Sequence, residues 1–538
     1  MKSEDIYNAV TELRDDSVRA GERKLRRSKP SFMRRFGALA AVLAVVIIAG
    51  VVARPWLSST LGGQTEQMGI ASAEPNGAQL AHMDYEPVAT NLEPTEEEPN
   101  GTGAANPNVV PTGLADWNAF SLARAAYPKM APYPLNDPWH ENQEAWDAWW
   151  EDYCALHPSD ADYDRGMDDY LRASVPMLLS GTGEDNCVAS PLNIYMALAM
   201  LAETTAGESR EELLTLLNVP DLETLREQSK ALWEANYCDD GRLTELLATS
   251  LWLRDGMDYN DETVQRLAED YYASVYAGPM GDEAYNETLR DWMNEQTGHL
   301  LEDQIRDIGM SGDTVAALVS TLYYKASWGG GFSRVEEALP FHGPNGDTNP
   351  VFMRCVTEDS ELYTGEGFQA AGTKLDGGGK MFFLLPDEGL QPEALLKNAN
   401  ALEFLLSDSG RSSADSRQVE LTLTVPEFDV SAKLDLIRIL QELGVHAIFE
   451  EDRADFSPLT TDNENPITVS EAQHGARIVV DEDGVLGAAY TIIEMSEAAC
   501  EPEEPERASL TLDRPFLFVV TNNEGLPIFV GIIHDPSA

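Results

Sequence analysis

"DEDGVLGAAYTIIEMSEAACEPEEPERASLTLDRPFLF", residues 481–518, sets an uncharged run between acidic ones. From Gly484 to Ile493 every residue is small or apolar. An acidic stretch with Pro502 and Pro505 follows, and then a strongly strand-like segment. The run is composed as a buried strand with no evident partner beside it. A central strand cannot hold proline, and none occurs between Gly484 and Glu501. A charge buried without a partner is costly, and the run has none. Side chains alternate along a strand. Val485, Gly487, Ala489, Thr491 and Ile493 therefore share one face, and Leu486, Ala488, Tyr490 and Ile492 the other. Gly487, Ala488 and Ala489 are small enough to slide between existing strands, and Gly484 can take hinge dihedrals that other residues resist.

The whole chain has 538 residues, 43% of them hydrophobic, which is enough for one large core plus accessories. It carries 92 acidic against 37 basic residues, a net charge of −55. That balance argues against a nucleic-acid partner, because phosphate binding needs a basic surface. The acidic excess keeps the surface soluble. Cys154, Cys187, Cys238, Cys355 and Cys500 are far apart and odd in number, and no CxxC pair points to zinc or redox chemistry.

Phe36 to Ala53 gives 18 uncharged, mostly apolar residues, roughly 27 Å as a helix, close to a bilayer core. Lys24, Arg26, Arg27, Lys29, Arg34 and Arg35 precede it and Arg54 follows. The positive-inside rule places residues 1–35 in the cytoplasm and the remainder outside. A cleaved signal peptide is the rival, with a shorter apolar region. Residues 54–115 are rich in Pro, Gly and Glu without periodicity and predict a disordered linker. In residues 116–165, "ENQEAWDAWWEDYCALH" puts Trp146, Trp149, Trp150 and Tyr153 on one helical face. Such a stripe packs on a neighbouring domain or offers a platform to a glycan or protein partner.

From residue 166 helical patterns come first ("GMDDYLRASVPMLLSG", "PLNIYMALAMLAETTAG") and strand-like runs later ("AALVSTLYYKASW", "VELTLTVPEFDV", "ARIVVDE", "LPIFVGIIHDP"). The order predicts an α+β architecture with buried sheets. No GxSxG elbow, Walker loop or HExxH is present. Ser190 precedes Pro191, where a serine caps a helix. His474 reads as a core histidine, not a base. The expectation is no enzyme, no cofactor and no metal.

Several segments taken together carry a resemblance. "NCVASPLNIYMALAML", "TTAGESREELLTLL", "LRDWMNEQTGHLLEDQI", "LVSTLYYKASWGGGF", "VPEFDVSAKLDLIRILQELGVHAIFEEDRADFS" and "LDRPFLFVV" with "FVGIIHDP" occur in this order over residues 166–538. The chain resembles the serpins, a family of serine protease inhibitors. The resemblance implies three β-sheets, about nine helices and an exposed reactive-centre loop. It implies that a protease cuts the loop, forms an acyl-enzyme, and is trapped as the freed strand inserts into the main sheet.

Family counting from the hinge residue Glu482 places the cut between Ala498 and Ala499, with Met495, Cys500 and Arg507 as other registers. A small residue before the cut suits an elastase-like or subtilisin-like serine protease, with a cysteine protease as a further target. The hinge is Glu482, Gly484, Val485, Gly487, Ala488, Ala489 and Thr491. Val485 and Leu486 stand where inhibitory members carry Thr and Glu, and Tyr490 is bulky for its place. Ser190, Asn193, Ser320 and His474 map to the shutter, with Ser320 in place of an Asn, and should favour a closed sheet that can still be parted. The expectation is a monomeric, extracellular inhibitor tethered to a bacterial cell membrane. A non-inhibitory serpin used for binding, and an adhesin acting through the tryptophans, are the alternatives.

Overall fold

The computed structural model describes residues 119–135, 142–157, 166–180, 183–312, 314–460, 467–469, 472–485 and 506–537. The expected anchor at 36–53, the linker at 54–115, and Leu486 to Ala499 with the expected cut lie outside the described residues. Among the described residues no helix is long and apolar enough to cross a membrane.

Ten helices of six residues or more are described: α1 Gln143–Leu156, α2 Met167–Leu179, α3 Pro191–Thr204, α4 Gly207–Leu216, α5 Leu222–Ala235, α6 Asp261–Asp270, α7 Glu283–Gln296, α8 Ala399–Leu406, α9 Asp408–Ser413 and α10 Leu436–Glu442. Nine of them follow residue 166. Caps explain most of the starts. Ser190 accepts from the Asn193 N–H ahead of Pro191 at the first helical position, and Asp221, Asn260, Asp282 and Asp435 cap α5, α6, α7 and α10 in the same way. All of α3 is buried, as its lack of a polar face requires.

The strands used below are β1 Ser121–Ala123, β2 Cys187–Ala189, β3 Thr244–Arg254, β4 Ala273–Gly278, β5 Ala316–Ser327, β6 Phe352–Gly365, β7 Phe368–Lys374, β8 Lys380–Pro386, β9 Asp415–Pro426, β10 Phe428–Asp435, β11 Gln473–Val480, β12 Gly484–Val485, β13 Arg507–Thr511, β14 Phe516–Thr521 and β15 Pro527–Ile533. The main, eight-stranded sheet runs β1-β4-β3-β5-β12-β11-β10, with Cys238–Asp239 beside β3. A nine-stranded sheet runs β13-β9-β6-β7-β8-β14-β15-β2, with Ser333–Arg334 beside β6, and a two-stranded sheet pairs Phe341–Gly343 with Gly346–Thr348. These are the three sheets that the resemblance implies and the mixed α+β content that the element order predicts.

The core fills the space between the two large sheets and around α3. Ser320, Leu322, Tyr324 and Ala326 of β5 are buried toward it. A second, smaller cluster lies on the opposite face of the main sheet, where Leu289, Trp292 and Met293 of α7 cover Trp252, Ala317 and Val319.

Candidate functional site

The acidic end of the opening stretch closes a tight turn. The Asp481 carboxylate accepts from the backbone N–H groups of Asp483 (3.0 Å) and Gly484 (3.1 Å), and the Asp481 N–H donates to the Gly484 carbonyl at 3.0 Å. Trp328 Nε1 donates to the Asp481 carbonyl at 2.8 Å. Burial holds the Asp481 carboxyl above its ordinary pKa. Arg334 joins two strand ends by pairing with Glu427 (2.9 Å) and with the hinge residue Glu482 (2.9 Å). Burial raises the pKa of Glu427, Arg334 opposes that, and Glu482 adds to it.

Beyond the turn the chain enters the main sheet. Gly484 pairs with Ser327 and Val485 with Ala326 on β5, while Val485 pairs with Val480 on β11. Val485 is completely buried, which stabilises the entry by roughly 1.5–3 kcal/mol. Gly484 is needed for closeness: a Cβ there would lie 2.3 Å from the Ala326 carbonyl oxygen. Among the described residues β5 and β11 share no direct register and are joined through β12. This corrects the expectation of a closed sheet. Two hinge residues already act as a wedge, because an extra strand between β5 and β11 separates them by two strand spacings rather than one.

At the far end, β13 pairs in parallel with β9, Arg507 opposite Glu420 and Leu510 opposite Leu423. Residues 486–506 thus join a strand of the main sheet to an edge strand of the second sheet.

Below the hinge, Ser190, Asn193, Ser320 and His474 are all fully buried and come together. The Ser190 N–H donates to His474 Nε2 at 3.1 Å, and the Asn193 N–H donates to Ser190 Oγ at 3.3 Å. Ser320 Oγ donates to Asn193 Oδ1. Ser320 thus supplies a link between the main sheet and the first turn of α3. Burial lowers the His474 pKa to about 3, so the imidazole is neutral, accepts at Nε2 and carries its proton on Nδ1. That Nδ1 and the Asn193 amide nitrogen have no partner. Both are donors, and leaving a buried donor unpaired costs about 1–3 kcal/mol.

A model of the family described as "Serpin (serine protease inhibitor)" matches residues 175–536. The chain belongs to the serpins. This serpin is 28% identical to mouse neuroserpin over 374 residues, 66% of this chain and 88% of the relative. It is 25% identical to rat alpha-1-antiproteinase, over 67% of this chain and 86% of the relative. Among solved structures, the native state of the thermophilic serpin tengpin superposes with a TM-score of 0.60 at 20% identity, covering 70% of this chain and 95% of tengpin. Thyroxine-binding globulin complexed with thyroxine gives a TM-score of 0.56 at 20% identity, covering 69% and 99%. These two likenesses concern the fold.

Residues ahead of the family match pack on this serpin's body. β1 pairs with β4 at the edge of the main sheet. The strap then runs past α5, where Tyr127 stacks on Trp233 at 5.5 Å and Tyr237 donates its hydroxyl to the Pro128 carbonyl. The Tyr133 N–H donates to the Asp240 carbonyl, and Trp149 Nε1 of α1 donates to the Asp240 carboxylate at 3.0 Å. The Arg242 guanidinium lies 3.9 Å from the Tyr133 ring. The aromatic stripe is therefore split. Trp149 is buried against the body, while Trp150 is 45% exposed. An open platform of four rings, the adhesive alternative, is not what the helix presents.

Sequence reasoning missed Trp328, Arg334 and Glu427 as partners of the turn at Asp481 to Gly484. Trp328 had a signal, since it closes the quoted "ASW" run. Arg334 and Glu427 had none, because neither stands near Glu482 in sequence. Of the four cysteines among the described residues, none is in a disulfide.

Proposed function

We propose that this serpin is a suicide inhibitor of a serine protease, with a cysteine protease as a further target, and that Gly484 and Val485 are the first two residues of the strand it inserts. The carrying observation is their position between β5 and β11. Continued along the pairing of Val485 with Ala326, residue 491 arrives opposite Ser320; continued along its pairing with Val480, the same residue arrives opposite His474. Two independent registers converge on Thr491. Its hydroxyl would then meet Asn193 Nδ2 and His474 Nδ1, the two donors of this four-residue network that have no partner. Insertion satisfies groups that the uncut protein leaves unsatisfied, and that difference favours the inserted state.

The protease serine attacks the Ala498 carbonyl. The bond to Ala499 breaks with the proton passing to the Ala499 amine, and Ala498 stays esterified to the enzyme. The site is small enough for an elastase-like or subtilisin-like pocket. The strand from Gly484 to Ala498, about 50 Å long at 3.3 Å per residue, completes its entry into the sheet and carries the acyl-enzyme with it. Val485 in place of the usual Thr suits a strand start that is completely buried. Phe36 to Ala53 tethers the monomeric inhibitor to a bacterial membrane, with the body outside.

Mixing the protein with elastase tests this reading. An SDS-stable covalent complex is the expected result, with the released fragment beginning at Ala499. Simple cleavage with no complex assigns the chain to the non-inhibitory serpins instead.

A further inference from the structure

The core face of the main sheet carries an acid where the slot begins. Glu245 of β3 stands opposite Tyr324 of β5 on one side and opposite Cys238 on the other. Tyr324 lies two residues before Ala326, the partner of Val485, so Gly487 of an inserted strand would arrive beside it. None of the three side chains is more than 2% exposed. Glu245 Oε1 and the Tyr324 hydroxyl have no hydrogen-bond partner. Leu247 and Leu251, on the same face of β3, are ordinary core residues, so the packing does not ask for an acid at 245. Burial alone holds its carboxyl well above the ordinary carboxylate range.

The groups around this rung give a carboxylate little support. Cys238 is a buried thiol, pushed up by burial, by Asp240 and by Glu245 itself. The turn ahead of β3 brings Asp239, Asp240 and Arg242, and the guanidinium of Arg242 faces Asp240 (3.9 Å) and the Tyr133 ring. Tyr237 after α5 and Tyr153 of α1 are both raised by burial, with Glu524 beyond Tyr153. From β15 the Phe529 ring meets Tyr324 at 6.3 Å. Lys325, next to Tyr324, alternates to the outer face.

We propose that Glu245 is a proton gate on loop capture: β5 stays in place as the receiving edge while this carboxyl keeps its proton, and shifts when the proton leaves. This rests on the reading of the slot as the receptor for the loop. Ionisation puts an unpaired charge on the core face, and water can relieve it only by parting Glu245 from Tyr324. β5 is weakly held there, because past Val485 no strand lies against its slot side among the described residues. A displaced edge does not receive Gly487 in register, which leaves the acyl-enzyme longer to deacylate. The sign follows from linkage. With the folded carboxyl raised, the unfolded chain binds fewer protons, so stability falls as pH rises above the ordinary glutamate value of about 4.3. Glu245 acts through β5 and is a positioning residue.

The test uses the full chain from about pH 5 to about pH 9, with denaturant unfolding and elastase capture read side by side. Relative to Glu245→Gln, the wild-type folding equilibrium should weaken by about tenfold per pH unit where the carboxyl titrates, the signature of one proton. Glu245→Leu fills the site without a titrating group and should follow Glu245→Gln. Tyr324→Phe keeps the carboxyl and should keep the wild-type slope. With elastase, wild type should give less covalent complex and more simple cleavage as pH rises. Glu245→Gln, measured at each pH to cancel the protease's own titration, should lack that loss. Parallel unfolding slopes in wild type, Glu245→Gln and Glu245→Leu overturn the gate while leaving the slot intact. So does the same pH course of complex formation in wild type and Glu245→Gln. A wild type that forms no complex at any pH refutes the inhibitor reading, and the gate with it.

Discussion

His474 accepts, through Nε2, the backbone N–H of Ser190 at 3.1 Å, so a strand of the main sheet is tied to the first turn of the central helix by a neutral imidazole. Protonating Nε2 would place two donors face to face in a buried site. The sign follows from linkage. The folded-state pKa is depressed to about 3 by burial, against about 6.5 for an unfolded histidine. Between these values the unfolded chain binds more protons, so stability rises with pH across the window. Each unit of acidification below 6.5 should cost about 1.4 kcal/mol from this residue alone. Denaturant unfolding at several pH values should show a slope shallower by about one proton in His474→Gln than in wild type. Identical slopes would remove His474 as the source.

Thr491→Val separates the uncut protein from the cut one. In the proposed register residue 491 meets Ser320 and His474 on insertion, so the intact variant should unfold like wild type. The nicked variant should be less stable than nicked wild type by about 1–3 kcal/mol, the cost of leaving buried donors unpaired. Calorimetry on both forms reads the difference. A loss confined to the intact form would contradict the register.

Gly484→Ala tests the hinge by contact. The added methyl would overlap the Ala326 carbonyl oxygen, at 2.3 Å, and overpacking of this kind costs roughly 1–3 kcal/mol. Val485 should be levered out of the sheet. Hydrogen exchange at Val485 should speed up, and elastase should cleave the variant with less covalent complex formed. Unchanged partition between complex and cleavage would show that the two-residue strand is not where insertion begins.

Trp149→Ala asks whether the strap is a separate cooperative unit. The ring is buried and its indole N–H bonds to Asp240, and such a truncation costs about 3–5 kcal/mol. The loss should appear as fast hydrogen exchange across α1, with protection in α3 and β5 retained. A global loss of protection would mean that the strap and the serpin body unfold together.

Much of the fold is legible in the chain. Ser190 followed by Pro191 and an all-apolar run fixes the start and the burial of α3, because capping and hydrophobic burial are local rules. The period-two pattern from Gly484 divides the uncharged run into two faces, and Val485 is found on the core side. The run "VELTLTVPEFDV" reads as one strand but is two in different sheets, β9 and β10, divided at Glu427. Proline cannot donate to a ladder, so the break is visible afterwards in Pro426. Which sheet each half joins is not.

What the sequence determined by itself is whatever depends on neighbours in the chain: helix starts, strand faces, the glycine at the hinge, and the family through the order of its motifs. Tertiary structure alone decided that β5 and β11 are joined through a two-residue wedge, that one arginine holds Glu427 and Glu482 together, and that Trp149 turns inward onto Asp240. The physical reason is distance along the chain. Those contacts join residues tens to hundreds of positions apart, and their energies depend on partners that no local pattern of charge or hydrophobicity records.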